Sequence, residues 1–244
     1  MRILLVGYGK MGRMIESLAG ELGCEVAGMI DPLSSSGTDG PASDRWNGVD
    51  VAVDFSTPDS VVKNVPVLAG RGISVVIGTT GWEKDEPAIR RAVADTSVGV
   101  VAAPNFSIGV LLFEAVVAKA ASLVAAHPEF GAWLNEAHHS TKKDAPSGTA
   151  LMLKRAMEGA GYSRAIDVSS IRAGFIPGVH TVGFDGPADT ITLTHTARDR
   201  SAFARGALLA AKWVKGRRGW FTMHDVLGLD KVDWRETDEV RSQK

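Results

Sequence analysis

The N-terminal stretch ILLVGYGKMG, residues 3–12, decides the predicted fold. It begins with a continuous apolar run, which is typical of a strand buried on both faces. It ends in the pattern Gly-x-Gly-x-x-Gly, and apolar residues at helical spacing follow between Met14 and Leu22. Glycines between a strand and a helix allow a tight turn and let a pyrophosphate approach the helix N-terminus. The stretch therefore predicts a dinucleotide-binding βα unit, with a tight turn that binds nothing as the alternative.

An acidic residue and a repeated alternation extend this unit. A second apolar strand, residues 24–30, ends at Asp31, which lies 19 positions after Gly12. A carboxylate at that distance accepts hydrogen bonds from the adenosine ribose hydroxyls. Helical stretches then alternate with further strand-like runs at 49–55, 73–77 and 98–103. The alternation predicts an α/β fold with a doubly wound parallel sheet of the Rossmann type.

The pattern changes after residue 106. A very apolar helix is predicted at 108–126, and strand-like segments follow at 130–137, 167–173, 178–185 and 189–197. The strict alternation of TITLTH, residues 190–195, is typical of a sheet with one covered and one free face. We predict a second, α+β domain with an open mixed sheet, whose free face favours an oligomer. A last long helix is predicted at 200–215, a short apolar return at 223–227 and a charged, frayed tail at 230–244.

The stretch EAHHSTKKDAPSGTA, residues 136–150, concentrates proton-transfer and anion-binding groups. His138 and His139 end a predicted strand, and Lys142 follows in the loop. A histidine titrates near neutrality and suits proton transfer, while a lysine supplies a fixed positive charge. A hydrogen-bonded surface pair of histidines and a solvated lysine turn are the alternatives. A metal site at the two histidines is disfavoured, because adjacent strand residues point to opposite faces.

A helix start follows this loop directly. Ser147 is a good N-cap after Pro146, and helix-forming residues continue from Ala150. Free N–H groups at such a start, with Gly148 allowing close approach, bind a carboxylate or a phosphate. Strand, loop and helix thus predict a proton donor, a positive charge and an anion site side by side.

Composition excludes several classes of partner. The chain has 244 residues, 45% of them hydrophobic, and a formal net charge of −1, so we expect ample core and no broad attraction to nucleic acid or an anionic membrane. Cys24 is the single cysteine, which excludes a disulfide framework and disfavours a metal cluster. No segment approaches the ~20 apolar residues of a membrane helix, and we expect a soluble, cytoplasmic protein. His180, His195 and His224 are interpreted as packing residues.

These motifs together resemble the 4-hydroxy-tetrahydrodipicolinate reductase family of the bacterial and plant lysine pathway, formerly called dihydrodipicolinate reductase. The resemblance covers nearly the whole chain, and its most specific part is the 136–150 stretch. Supporting motifs are GYGKMG at 7–12, DFS at 54–56, GTTG at 78–81, PNFS at 104–107 and VLGL at 226–229.

The resemblance implies a domain plan and a reaction. A Rossmann domain, residues 1–105, is completed by residues 214–244, and a substrate-binding and tetramerisation domain, residues 106–213, is inserted between them. The implied homotetramer transfers hydride from NADH or NADPH to C4 of a cyclic conjugated imine that carries two carboxylates. Water is lost from the 4-hydroxy precursor, and the product is tetrahydrodipicolinate, used in lysine and diaminopimelate biosynthesis.

The resemblance also implies residue roles, with no metal. His138 is the general acid and Lys142 the second cationic donor. The substrate carboxylates are held by His139, Lys142, Ser147, Gly148 and Thr149. The cofactor is bound by Gly7, Gly9, Lys10, Met11, Gly12, Asp31, Gly78, Thr79, Thr80, Pro104, Asn105, Phe106, Arg200 and Phe203. Read from the residues alone, the two threonines after the 73–77 strand are suited either to a nicotinamide ring or to an ordinary turn.

One position departs from the family pattern and bears on the cofactor. NADPH users of the family often carry a basic residue after the ribose-binding acid, and here that position is Pro32. A carboxylate without an adjacent cation repels a 2′-phosphate, so we expect NADH to be preferred over NADPH, with Lys10 or Arg13 in reach to compensate. The loop at 32–48 is also shorter than in many members.

Two other functions stay open. A non-catalytic NAD(H)-binding sensor would use the same fold, but it has no need to keep an intact proton-donor and anion-binding loop. An amino- or imino-acid dehydrogenase would use a related site, and a panel of substrates tested with both nucleotides would separate it from the reductase.

Overall fold

The computed structural model describes residues 1–33 and 39–229. Packing divides the chain into two units. The first unit comprises Met1–Phe106 and the described residues from Ala204 onward, and the second comprises Ser107–Phe203. Residues 34–38 of the predicted 32–48 loop, and the predicted tail at 230–244, lie outside the described residues. The predicted domain ranges, 1–105 with 214–244 and 106–213, stay a prediction.

Six parallel strands form the sheet assigned in the described part of the first unit. They are β1 (Arg2–Val6), β2 (Glu25–Ile30), β3 (Val51–Asp54), β4 (Ser74–Ile77), β5 (Gly99–Ala102) and β10 (Gly219–Phe221). Their order in the sheet is β10-β5-β4-β3-β1-β2, and each pair of neighbours is parallel. Strands β3 and β4 are buried throughout, because helices cover both faces of such a sheet. The predicted Rossmann-type sheet is confirmed.

The helices of the first unit are α1 (Lys10–Ala19), α2 (Pro58–Gly70), α3 (Glu86–Val93) and α7 (Met223–Leu227), while α6 (Ser201–Val214) begins at the end of the second unit and continues in the first. Apolar side chains of α2 and α3, among them Val65, Leu68 and Ile89, pack with the strands in one buried core. The sheet and its helices therefore hold the strand ends of this unit in fixed positions.

The C-terminal part of the first unit differs from its prediction. Strand β10 was not predicted, because three residues are too few to display a period of two. The segment at 223–227, predicted as a short apolar return, forms helix α7 instead. Thr222 caps this helix and Asp225 bonds back to the Thr222 N–H, which completes a capping box.

The second unit contains a mixed sheet and two helices. Its strands are β6 (Gly131–His138), β7 (Ile166–Arg172), β8 (Val179–Asp185) and β9 (Thr190–Thr196), and its helices are α4 (Ile108–Val124) and α5 (Gly148–Gly159). The order is β7-β6-β8-β9, with β6 and β7 parallel and the other pairs antiparallel. The predicted open mixed sheet is confirmed.

The two faces of this sheet have different character. Residues 132 and 134 of β6 join Val182 and Phe184 of β8 in a core that includes side chains of α4 and α5. On the opposite face the threonines of β9 are exposed, and Thr181 and Thr194 are joined through their hydroxyls at 3.1 Å. The predicted alternation therefore separates a covered from an exposed face. Within the described ranges, no helix is long and apolar enough to cross a membrane.

Candidate active site

The covered face of β6 becomes polar at its C-terminal end. Ala132 and Leu134 lie in the apolar core, and Glu136 and His138 continue the same face because strand residues two apart point the same way. Both polar side chains are buried, and the Glu136 side chain is 0% exposed. His138 Nδ1 contacts Glu136 Oε2 directly. The strand thus delivers a buried carboxylate–imidazole pair.

Arg172 completes this pair from the neighbouring strand. It lies opposite His138 in the parallel β6–β7 register. Its two terminal nitrogens donate to the two carboxylate oxygens of Glu136, at 2.8 and 2.6 Å, and the Ser147 N–H donates to Oε1 at 3.1 Å. Burial opposes ionisation of Glu136, but hydrogen bonds from Arg172, Ser170, His138 and Ser147 outweigh it and lower the pKa of Glu136 to about 2. Glu136 is therefore an anion at neutral pH.

A second buried histidine lies against the first. His180 is directly opposite Glu136 in the β6–β8 register, and its ring centre is 5.1 Å from that of His138. Its Nε2 lies 3.1 Å from Ser147 Oγ, whereas its Nδ1 has no hydrogen-bond partner among the described residues. Burial and then the neighbouring charge of His138 lower the pKa of His180 to about 4. His180 therefore stays neutral when His138 takes up a proton.

His138 experiences opposed influences. Burial lowers its pKa below 6.5, and the hydrogen bond and charge of Glu136 act in the opposite direction. The charges of Lys142 and Arg172 also disfavour the imidazolium. An additional negative charge near this site would therefore favour protonated His138.

The predicted cationic donor lies in the loop after β6. Lys142 Nζ contacts both carboxylate oxygens of Asp144, at 2.7 and 2.9 Å. The pKa of Asp144 is lowered, mainly by the hydrogen bond from Lys142 and to a smaller extent by one from the Gly148 N–H. His139 Nδ1 is 2.7 Å from Thr141 Oγ1, in the same loop. A carboxylate is thus already held by the lysine and the helix start that were predicted to bind an anion.

The start of α5 is built as predicted. Ser147 is the N-cap, and its Oγ accepts a hydrogen bond from the Ala150 N–H at 3.2 Å. Its side chain is buried and contacts the Ala150 N–H and His180, whereas Gly148 is exposed and Thr149 is half-buried. A Cβ added at Gly148 would meet no atom within 4 Å. The roles predicted for these residues stay predictions.

Three potential metal ligands lie together at the buried end of this site. One ligand atom each of Glu136, His138 and His180 lies within 4.8 Å of the others. This group differs from the adjacent His138–His139 pair considered in the sequence. Arg172 already occupies both oxygens of the carboxylate and places a positive charge beside them, which disfavours a divalent cation. The absence of a metal stays a prediction.

The first unit carries the predicted nucleotide-binding turn. Gly7 has φ +88° and Gly12 packs so tightly that a Cβ would lie 2.3 Å from the Gly7 carbonyl oxygen. Gly9 is the N-cap residue of α1, and no side chain caps this helix start. A Cβ added at Gly9 would meet no atom within 4 Å. The first turn of α1 has no acidic residue. A helix start without a side-chain cap leaves N–H groups for a ligand such as a pyrophosphate, which supports dinucleotide binding.

A cavity of about 410 Å³ adjoins this turn. It is lined by Gly9, Lys10, Met11, Phe55, Ser56, Pro58, Gly78, Thr79 and Thr80. Asp54, which is fully buried, accepts hydrogen bonds from the hydroxyls of Ser56 and Thr79, both at 2.7 Å. The Thr79 hydroxyl is therefore used inside the protein, whereas Thr80 is exposed at the strand end. Asp54 fixes two of the loops that line the cavity.

Asp31 lies at the end of β2, as predicted. Its Oδ2 accepts the Tyr8 N–H at 2.6 Å and its Oδ1 accepts the Leu33 N–H at 2.8 Å. Each carboxylate oxygen has a second lone pair, so the group retains acceptors for hydroxyls. The structure thus brings Asp31 to the glycine turn through Tyr8.

The remaining predicted cofactor residues differ in exposure. Phe106 is buried, with its ring 5.8 Å from that of Phe55, so it packs in the core of the first unit. Pro104 is exposed and Asn105 is half-buried. Arg200 and Phe203 belong to the second unit, where they are exposed and half-buried. Their roles in cofactor binding stay predictions.

Sequence reasoning missed three groups of this site. Glu136 was part of the quoted motif, and its spacing of two from His138 was a sufficient signal that both share one face. His180 was interpreted as a packing residue, and Arg172 was not singled out. Arg172 and His180 come close to Glu136 only through the register of the strands. Arg172, for example, is 36 residues from Glu136 in the sequence.

Comparison with known proteins identifies the family. Models of the dihydrodipicolinate reductase N-terminus and C-terminus match residues 1–106 and 109–227. A 4-hydroxy-tetrahydrodipicolinate reductase of Rhodopseudomonas palustris (strain TIE-1) is 36% identical, with 95% of this chain and 99% of the relative covered. One of Christiangramia forsetii is 34% identical, with 93% and 98% covered.

A solved structure agrees in fold. A dipicolinate-bound dihydrodipicolinate reductase from Paenisporosarcina sp. TG-14 superposes with a TM-score of 0.75 at 24% identity, covering 91% of this chain and 97% of that one. The resemblance and the oxidoreductase function predicted from the sequence are confirmed. The chain belongs to the dihydrodipicolinate reductase family.

Proposed function

We propose that this chain reduces 4-hydroxy-tetrahydrodipicolinate to tetrahydrodipicolinate, with loss of water, in lysine and diaminopimelate biosynthesis. Family membership supports the substrate, since the relatives are named for this reaction. The observation that carries the proposal is the buried Glu136–His138 pair at the end of β6, with Lys142 in the loop that follows. A sensor that only binds a nucleotide does not need a buried carboxylate–imidazole pair.

The substrate carboxylates are bound by the loop after β6 and by the start of α5. Lys142 and His139 supply donors on the loop, and the backbone at Gly148 and Thr149 supplies N–H groups. The Lys142–Asp144 pair supports this assignment, because a carboxylate is already bound by the same ammonium group. A substrate carboxylate would take the place of Asp144.

The proton is supplied by His138. When bound, NADH or NADPH supplies the hydride, which adds at C4 of the ring. Addition there moves an electron pair of the conjugated C=C–C=N unit towards the nitrogen and the carbon beside C4, and one proton must then be added. Because Nδ1 of His138 contacts Glu136, Nε2 is the atom that donates this proton. The two substrate carboxylates favour the imidazolium needed for that step.

NADH is the proposed preferred cofactor and NADPH the second. Asp31 carries a negative charge at the ribose position, and Pro32 offers no cation to a 2′-phosphate. Arg13 lies over the Tyr8 ring at 5.6 Å and stays in reach to compensate in part. Kinetics with both nucleotides would test this preference.

A homotetramer in the cytoplasm is also proposed. The threonine-rich exposed face of the second sheet supports association through that sheet. Light scattering tests this part of the proposal, and a stable monomer at assay concentration would exclude the tetramer. Cell fractionation tests the location.

The reaction is tested by absorbance at 340 nm. The substrate is generated in place from pyruvate and aspartate semialdehyde by the preceding synthase, and oxidation is followed with NADH or NADPH. His138→Gln should reduce kcat by about 10²-fold or more without changing NADH affinity. Lys142→Ala should reduce kcat and raise KM, and Lys143→Ala, which alters an exposed neighbour, is the matched control.

Three results would each overturn the proposal. Normal turnover by His138→Gln would show that His138 is not the general acid. No oxidation of either nucleotide, together with tight NADH binding in calorimetry, would favour the sensor, and oxidation only with another imine would favour an amino- or imino-acid dehydrogenase.

A further inference from the structure

We propose that Glu136, held by Arg172, is a positioning residue that fixes the proton of neutral His138 on Nδ1 and directs Nε2 to the substrate. The inference rests on the proposed function only in naming His138 as the acid. It assigns a task to the buried Glu136 and the half-buried Arg172, which neither the substrate nor the cofactor needs to touch.

The first observation is the direction of the hydrogen bond. Glu136 Oε1 and Oε2 each accept a hydrogen bond from Arg172, and Oε1 also accepts the Ser147 N–H. An arginine cannot be deprotonated at ordinary pH, and it keeps the carboxylate ionised. An ionised carboxylate can only accept, so the atom of His138 that contacts it, Nδ1, must carry the proton.

The second observation is the packing around the ring. A Cβ added at Gly178 would lie 3.2 Å from His138 Nε2, so the backbone of a glycine with φ +144° passes close to this atom. The ring of His180 meets that of His138 edge to face at 5.1 Å. Glu136 on one side, with His180 and Gly178 on the others, leaves the imidazole little freedom to turn about its axis.

The third observation is the link to the loop. One terminal nitrogen of Arg172 donates to Glu136 Oε1 and also to the Asp144 carbonyl oxygen, at 2.6 and 2.5 Å. Asp144 in turn contacts Lys142. The Arg172 guanidinium therefore links the Glu136 carboxylate at the end of β6 to the loop that carries Lys142 and Asp144.

The charged and titratable groups that face His138 are few among the described residues. They are Glu136 on β6, Arg172 on β7, His180 on β8 and Lys142 in the loop. Of these, only Glu136 favours the protonated imidazole. Its removal should therefore lower the pH at which His138 loses its proton.

The test combines kinetics with a tautomer measurement. In ¹⁵N NMR of the wild-type protein with labelled histidine, neutral His138 should show a protonated Nδ1 and an unprotonated Nε2. Finding the proton on Nε2 would overturn the proposal without any assay of activity. This measurement needs no variant, so it holds even if a substitution at the buried position prevents folding.

The kinetic arm uses Glu136→Gln. We expect kcat to fall on the order of 10²-fold, and the pH at which kcat/KM declines to shift down by about one unit, with NADH affinity unchanged. Glu136→Asp, which keeps the charge, should restore part of the rate. Glu129→Gln is the matched control, because Glu129 pairs with His127 at the same spacing of two but at the surface. It should leave rate and pH profile unchanged.

A double variant separates the two proposals. In a His138→Gln background, Glu136→Gln should reduce kcat no further, because Glu136 acts through His138. A full additional loss would assign Glu136 a merely structural or independent role and overturn this inference alone. Normal turnover by His138→Gln would instead overturn the proposed function, and the NMR result would still decide the tautomer.

Discussion

Asp144→Asn should tighten substrate binding. In the structure Asp144 places both carboxylate oxygens on Lys142 Nζ, at 2.7 and 2.9 Å, and Gly148 contributes a backbone hydrogen bond to the same group. These are the donors proposed to bind a carboxylate of the substrate. Asp144 therefore competes with the substrate, and neutralising it should release Lys142.

The size of the effect follows from the exposure of the pair. The Lys142 side chain is 23% exposed and that of Asp144 57%, so solvent screens their attraction. An ion pair of this kind contributes about 0.5–1 kcal/mol. Converted at 1.4 kcal/mol per factor of ten, KM should fall by about two- to fivefold, with little change in kcat. Because exposed pairs are screened by salt, the difference between variant and wild type should shrink as ionic strength rises.

The assay is the coupled measurement at 340 nm with the synthase product as the varied substrate. Glu158→Gln is the control, because it neutralises the exposed ion-pair partner of Lys154 near the C-terminal end of α5, away from the loop that carries Asp144. In a Lys142→Ala background the gain from Asp144→Asn should disappear. An unchanged or raised KM for Asp144→Asn alone would refute the competition and would assign Asp144 to the support of the loop.

Three further predictions concern the cofactor and the acid. Gly12→Ala should weaken NADH binding and lower the melting temperature, since a Cβ 2.3 Å from the Gly7 oxygen forces the backbone apart at a cost of about 1–3 kcal/mol. Gly9→Ala, where a Cβ has open space and only the N-cap preference is lost, should lower the melting temperature less. Asp31→Asn should raise the ratio of kcat/KM with NADPH to kcat/KM with NADH by about tenfold, because it removes a repulsion of roughly 1–2 kcal/mol between the carboxylate and the 2′-phosphate. An unchanged ratio would show that Asp31 does not lie beside the 2′-phosphate. Since burial lowers the pKa of His138 and the acid must be protonated, kcat/KM should decline as pH rises through a midpoint below 6.5, and His138→Gln should abolish this limb. A pH-independent wild-type profile would contradict the role of an acid in this range.

The sequence by itself determined the local units of this protein. The β1 run and its three glycines predicted the turn before α1, because buried parallel strands and tight phosphate-binding turns each require particular residue types. Ser147 predicted the start of α5, since N-capping depends only on residues within one helical turn. The alternation at 190–195 predicted a sheet with one covered and one free face, because side chains alternate along any strand.

Only the tertiary structure decided how distant groups meet. Strand β10 pairs with β5, and its three residues are too few to show the alternation that would predict a strand. The Thr79 hydroxyl turns to Asp54, 25 residues away, and is used inside the protein. Arg172 and His180 reach Glu136 because β7 and β8 flank β6 in one register, and a shift of one residue would move their side chains to the other face. Local propensity encodes each strand, whereas the register that builds the buried acid is set by the packing of the whole sheet.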